Sequence, residues 1–160
     1  MNLPKLIATF FGSGLLKPAS GTWGSLATLP FVWLIFWASD GNTMMAFGLL
    51  ASATGAATGI GWWATAKYLE ATGSHDPSEV VIDEVAGQLL TFLVALFFIP
   101  VFTWDVFLAA FLLFRIFDIT KVWPANWADG QLEGATGVML DDLFAGVYAG
   151  LVLILVHRFI

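Results

Sequence analysis

The sequence predicts an all-α, multi-pass integral membrane bundle, and three observations carry that prediction. Hydrophobic residues make up 59% of the 160 positions and charged residues only 11%, far from the balance of a water-soluble domain. Five apolar runs follow one another, at about 25–39, 44–66, 86–103, 105–117 and 143–160. Eight Trp and fifteen Phe supply the aromatics that membrane proteins concentrate at the lipid–water interface. The length suits a single domain, residues 1–160, and neither a repeat nor a low-complexity linker interrupts it.

Crossing about 30 Å of hydrocarbon takes roughly 20 helical residues. The second, third and fifth runs are adequate, whereas 25–39 and 105–117 are short and expected to tilt little, thin the bilayer or be partly re-entrant. Five crossings put residues 1–24, 67–85 and 118–142 on one side. Lys5, Lys17, Lys67 and Lys121 lie there, with Arg115 at its edge and Arg158 alone opposite, so the positive-inside rule makes that side cytoplasmic. No signal-peptide cleavage site follows the short apolar run after Lys5. Gly55 and Gly59, and Gly146 and Gly150, are spaced for close helix packing.

The polar motifs all fall on the cytoplasmic side. The segment Gly12 to Leu26 reads as a Gly/Ser loop opening into a helix capped by Thr22 or Ser25, a setting whose N–H groups and hydroxyls suit a phosphate. Asp76-Pro77 followed by Glu79 reads as an N-cap, a first-turn proline and a capping-box acid, which puts Asp83 and Glu84 in the second turn of the helix that continues as the third run. Arg115, Asp118 and Lys121 are spaced by three, on one helical face before Pro124 stops the helix. Asp141 and Asp142 form a second acidic pair entering the fifth run. Two carboxylate doublets on one face of a membrane bundle are poorly explained by capping and well explained by a hard divalent cation held by oxygen. Basic residues and hydroxyls beside them fit an anionic substrate and metal-assisted phosphoryl transfer.

Other chemistries are disfavoured. There is no Cys for a thiolate nucleophile or disulfide, no Asp-x-Asp-x-Thr motif, and only two histidines, of which His157 is at the opposite face. A net charge of −6 argues against nucleic acid. A cation-coupled transporter would use the same carboxylates, but nearer the bilayer midplane. Asp129-Gly130 upstream of Asp141 hints at phosphoalcohol transfer from a nucleotide-activated lipid, but the Ala-Arg of such enzymes is missing.

The motifs in order, Gly-Ser-Gly-Leu with Gly-Thr-x-Gly-Ser-Leu, His-Asp with Asp-Glu-x-x-Gly, Phe-Arg-x-Phe-Asp with Lys-x-Trp-Pro, and Gly-Val-Met-Leu-Asp-Asp with Ala-Gly, resemble the phosphatidylglycerophosphatase A family from about Phe11 to Gly150. Val122 and Ser20 depart from it, standing where the family usually has proline. The resemblance implies a Mg²⁺-dependent phosphatase of the bacterial inner membrane, converting phosphatidylglycerophosphate to phosphatidylglycerol, with an anionic phospholipid as substrate and membrane lipids as surroundings. On this reading Asp83, Glu84, Asp141 and Asp142 hold one or two Mg²⁺, and Asp76 and Asp118 are further ligands or support them. Asp83, Asp142 and Asp118 are the catalytic candidates. Thr22, Ser25, Arg115 and Lys121 meet the phosphate. The nucleophile is a water or a carboxylate, and the sequence carries no signature of oligomeric state.

Overall fold

A computed structural model of the chain describes residues 2–74, 77–100 and 103–159. The described residues contain α1 (Leu3–Ala8), α2 (Ser20–Ser39), α3 (Thr43–Thr72), α4 (Ile82–Leu96), α5 (Trp104–Thr120), α6 (Ala125–Gln131) and α7 (Ala135–Val156), with a 3₁₀ turn at Ser13–Leu15 and no strand. The all-helical, membrane-type architecture expected from composition is what the structure has. Among the described residues, three helices are long and apolar enough to cross a membrane: α2, α3 and α7, of 20, 30 and 22 residues.

The lengths redistribute the expected spans. The first run, expected short, belongs to a 20-residue helix because the Ser20–Gly24 stretch is already helical. The third, expected adequate, forms only 15 residues of helix and ends at Leu96, shortly before Pro100. A short helix suffices there because α4 is the centre of the bundle. It packs against α2, α3, α5 and α7, and its buried residues include Gln88 and Thr91 beside Val85, Leu89 and Phe92. Its backbone is shielded by protein along its length, so lipid thickness does not set that length.

α4 and α7 meet through glycines. A Cβ on Gly146 would collide with the Gly87 carbonyl oxygen, and one on Gly150 would lie 2.7 Å from Val94 Cβ. Thr91 Oγ1 donates to Gly87 O at 3.0 Å and to Gly146 O at 3.3 Å, bridging the two backbones. The Gly146/Gly150 expectation is therefore met. The Gly55/Gly59 one is not: nothing lies within 4 Å of where a side chain would begin at either position, because that face of α3 is turned outward.

The helix expected from Asp76 starts later. Ile82 is its first residue and Val81 its N-cap, so Asp83 and Glu84 occupy the first turn, and Pro77 and Glu79 lie in the turn before it. Glu79 is not a capping-box acid; its carboxylate accepts from Tyr68 Oη at 2.9 Å. Val81 N–H donates to Ala8 O at 2.9 Å, tying α1 to the start of α4. Asp76 lies outside the described residues.

Candidate functional site

Polar residues gather where the N-terminal ends of α2 and α4, the C-terminal end of α5 and the second turn of α7 converge. They surround a cavity of about 210 Å³ lined by Ser20, Ser78, Val80, Asp83, Glu84, Asp118, Lys121, Asp129, Val138, Asp141 and Asp142. Only the α4 acids have a local reason for their place. Asp83 and Glu84 sit in a first turn, where free N–H groups and the helix dipole favour negative charge. Asp141 and Asp142 are deeper, in the second turn of a helix that begins at Ala135, and no cap explains them. They are 6% and 4% exposed, and Asp83 is 8% exposed.

One carboxylate oxygen from each of Asp83, Glu84 and Asp142 lies within 4.8 Å of the other two. Three such groups held together repel unless a proton or a cation intervenes. Glu84 Oε2 is buried with no hydrogen-bond partner among the described residues, as are both amide atoms of Gln88 one turn below it. An orphaned carboxylate oxygen inside an all-oxygen cluster is the donor chemistry that a hard divalent cation requires. The cluster fits such an ion.

The two cations are already engaged. Lys121 Nζ donates to Asp129 Oδ1 at 2.6 Å and to Asp141 Oδ2 at 2.8 Å. Burial alone would depress the Lys121 ammonium, but these two hydrogen bonds and charges outweigh it and hold the ammonium above the ordinary lysine range. Arg115 pairs with Asp118 on its own helix, and its Nη1 donates to Ser25 Oγ at 3.4 Å across to α2. Six carboxylates line the cavity against Lys121 and the neighbouring Arg115, and three of them, Asp83, Asp141 and Asp142, are buried, a charge excess that a bound cation or protons would offset.

The structure brings Asp83, Glu84, Asp118, Lys121, Asp141 and Asp142 to one cavity. It does not bring Thr22 or Ser25 to its wall. α2 starts at Ser20 after a left-handed Ala19, so Thr22 and Ser25 are inside the helix and cap nothing. Ser25 Oγ is buried and donates to Gly21 O at 2.9 Å. Gly21 matters by having no side chain: a Cβ there would run into Glu84 Oε1 and lie 3.0 Å from Arg115 Nη1. The helix containing Arg115 and Asp118 ends at Thr120, four residues before Pro124. Lys121 is its left-handed cap, and that turn swings its ammonium toward α6 and α7. Pro124 is the N-cap of α6 and not the stop of α5.

Three polar lining residues, Asp129, Ser20 and Ser78, are not among the site residues that the sequence predicts. Asp129 belongs in sequence to the Asp129-Gly130 pair, and its place four residues before Glu133 on a short polar stretch gives no metal-site spacing. Ser20 donates its hydroxyl to the Ser78 carbonyl, joining the start of α2 to the turn before α4, and no local pattern announces that pairing.

The sequence model of the family described as Phosphatidylglycerophosphatase A matches residues 6–157. A Haemophilus influenzae protein named Phosphatidylglycerophosphatase A is 37% identical over 153 residues, 95% of this chain and 87% of that one. An Escherichia coli protein of the same name is 34% identical over 154 residues, 96% of this chain and 83% of that one. A Bacteroides thetaiotaomicron protein, 39% identical with 99% of this chain and 95% of its own length covered, is named provisionally as a phosphatidylinositol-3-phosphatase. No solved structure matches the chain. A family match over nearly the whole chain, with two relatives of that name above 30% identity, shows that this protein belongs to the phosphatidylglycerophosphatase A family of phosphatases.

Proposed function

We propose that this protein hydrolyses the terminal phosphomonoester of phosphatidylglycerophosphate, using Mg²⁺, at the cytoplasmic face of the bacterial inner membrane. The observation that carries the reading is the trio of buried Asp83 and Asp142 with half-buried Glu84, whose oxygens lie within 4.8 Å of one another beside a lysine-rimmed cavity. Family membership and the names of two relatives support the choice of lipid. The trio holds the ion, Asp141 and Asp118 complete its surroundings, and Asp76 is a further ligand by its place in the motif. When bound, a divalent cation neutralises phosphate charge and acidifies a water.

The chain's own residues do the rest. Lys121 exchanges one of its two carboxylate partners for a phosphate oxygen, and Arg115, held by Asp118 and Ser25, faces the phosphate from α5. Attack by water forms one P–O bond and breaks the ester P–O bond, releasing the lipid alcohol and phosphate. One carboxylate that lines the cavity outside the trio, Asp118 or Asp129, accepts the proton that the water gives up and returns it to the departing lipid oxygen. Ser25 acts through α2, as the hydroxyl that receives Arg115. The transporter alternative has no support from the relatives, and the carboxylates gather at one end of the bundle.

Roles of metal and phosphate ligands separate in kinetics. Glu84→Gln should raise the Mg²⁺ concentration needed for half-activity. Lys121→Ala should leave that concentration nearly unchanged and lower kcat/KM for the lipid phosphate by roughly one to two decades, the worth of a charge-assisted hydrogen bond. Titrating Mg²⁺ and substrate independently checks both; an unchanged Mg²⁺ requirement in Glu84→Gln removes it from the ion's shell.

Sidedness has its own test. Cysteines introduced at Ser74 and Gly130 should both react with an impermeant thiol reagent only from the cytoplasm, and one at Thr43 only from the other side. Labelling of Ser74→Cys and Gly130→Cys from opposite sides would remove the shared cytoplasmic face.

A further inference from the structure

We propose that the apolar groove between α2 and α5 seats an acyl chain of the lipid whose phosphate enters the carboxylate cavity, an inference that rests on the lipid-phosphatase reading above. The groove has a volume of about 500 Å³ and is lined by Leu29, Pro30, Trp33, Trp104, Phe107 and Leu108. Its place is what singles it out. α2 and α5 run antiparallel, and the polar cavity takes Ser20 from the start of one and Asp118 from the end of the other. Along α5, Asp118, Arg115, Phe111, Leu108 and Trp104 follow at three- and four-residue steps on one face. Along α2, Gly21, Ser25, Leu29 and Trp33 follow at four-residue steps. One seam therefore passes from carboxylates, through the Arg115–Ser25 contact at 3.4 Å, into hydrocarbon-like surface.

The depth agrees with the occupant. At 1.5 Å per residue, Leu108 and Trp104 lie about 10 Å and 16 Å below Arg115 along α5, and half of a hydrocarbon core is about 15 Å. A chain leaving a headgroup at Arg115 would run the length of the groove within one leaflet. Leu108 and Trp104 are 57% and 76% exposed, so the groove opens sideways to lipid and admits a substrate that never leaves the bilayer.

A larger apolar cavity of about 650 Å³ lies between α1, α2, α3 and α4. It is the weaker candidate because its α4 wall is Ile82, Val85 and Leu89, the face of that helix turned away from Asp83 and Glu84.

The test uses the full-length protein in a non-lipid detergent with two substrates, dipalmitoyl phosphatidylglycerophosphate and its deacylated headgroup. Leu108→Trp fills the groove and should lower kcat/KM on the long-chain lipid about tenfold, the worth of one or two buried methylenes, with the headgroup substrate unchanged. Leu34→Trp, in the larger cavity, should match the wild type on both. Independently, the wild-type protein is photolabelled with the same lipid phosphate bearing a mid-chain diazirine. Adducts should map to 29–33 and 104–108 and be suppressed by excess unlabelled lipid phosphate but not by diacylglycerol. Wild-type behaviour of Leu108→Trp on the long-chain lipid, adducts on α1 or α3, or equal suppression by diacylglycerol overturns the proposal. If the wild type hydrolyses neither substrate, the phosphatase reading fails by itself, and the photolabelling alone decides whether the groove is an acyl-chain site.

Discussion

Asp142→Asn is expected to reduce phosphatase turnover roughly a thousandfold, because on the proposed reading a divalent ion worth several kcal/mol to the transition state would lose a ligand. Asp142 is 4% exposed, and one of its oxygens is in the trio with Asp83 and Glu84. The same substitution should not unfold the protein. Removing one of three crowded carboxylates relieves repulsion, so the thermal midpoint without added cation should hold or rise. Mg²⁺ should raise the wild-type midpoint, since a ligand that binds only the folded state stabilises it, and Asp142→Asn should lose most of that increment. Measuring turnover and the Mg²⁺-dependent midpoint together distinguishes a lost ligand from a damaged fold. Near-normal turnover at saturating Mg²⁺ would show that Asp142 holds no ion.

Gly146→Leu should be the most damaging change away from the cavity. The new Cβ would collide with the Gly87 carbonyl, and backbone on the receiving side cannot rotate away as a side chain can. Separating α4 from α7 also breaks the Thr91 bridge and moves Asp83 and Glu84 away from Asp142, one turn from Gly146. Overpacking of this kind costs about 1–3 kcal/mol and more when nothing can yield. Midpoint and activity should therefore fall together. Gly55→Leu, on the open face of α3, should be tolerated and slightly stabilising through helix propensity, by about 1 kcal/mol at most. A Gly146→Leu protein with the wild-type midpoint would mean that α4 and α7 are not held by this contact.

These two substitutions mark what could be read from sequence and what could not. Composition and hydropathy determined the helical membrane class, because apolar side chains and the need to satisfy backbone hydrogen bonds in lipid leave few alternatives. The acidic doublets were legible for a related reason: buried charge is costly, so Asp83, Glu84, Asp141 and Asp142 stood out against their apolar flanks. Gly146 and Gly55 sit in similar four-residue glycine spacings, and only packing decided that the first touches a neighbouring helix and the second touches nothing.

Tertiary structure also assigned the hydroxyls and the ends of helices. Ser25 and Thr22 read as caps because capping is a local pattern, whereas the real start of α2 depends on the left-handed Ala19 and on Ser20 reaching the Ser78 carbonyl 58 positions away. The pairing of Lys121 with both Asp129 and Asp141 required the chain to turn at Lys121, which spacing by three along a supposed helix conceals. Sequence alone determined which residues were too polar for their surroundings. Which of them meet was decided by helix crossings, since contacts between distant segments depend on the packing of every side chain between them and leave no periodicity to read.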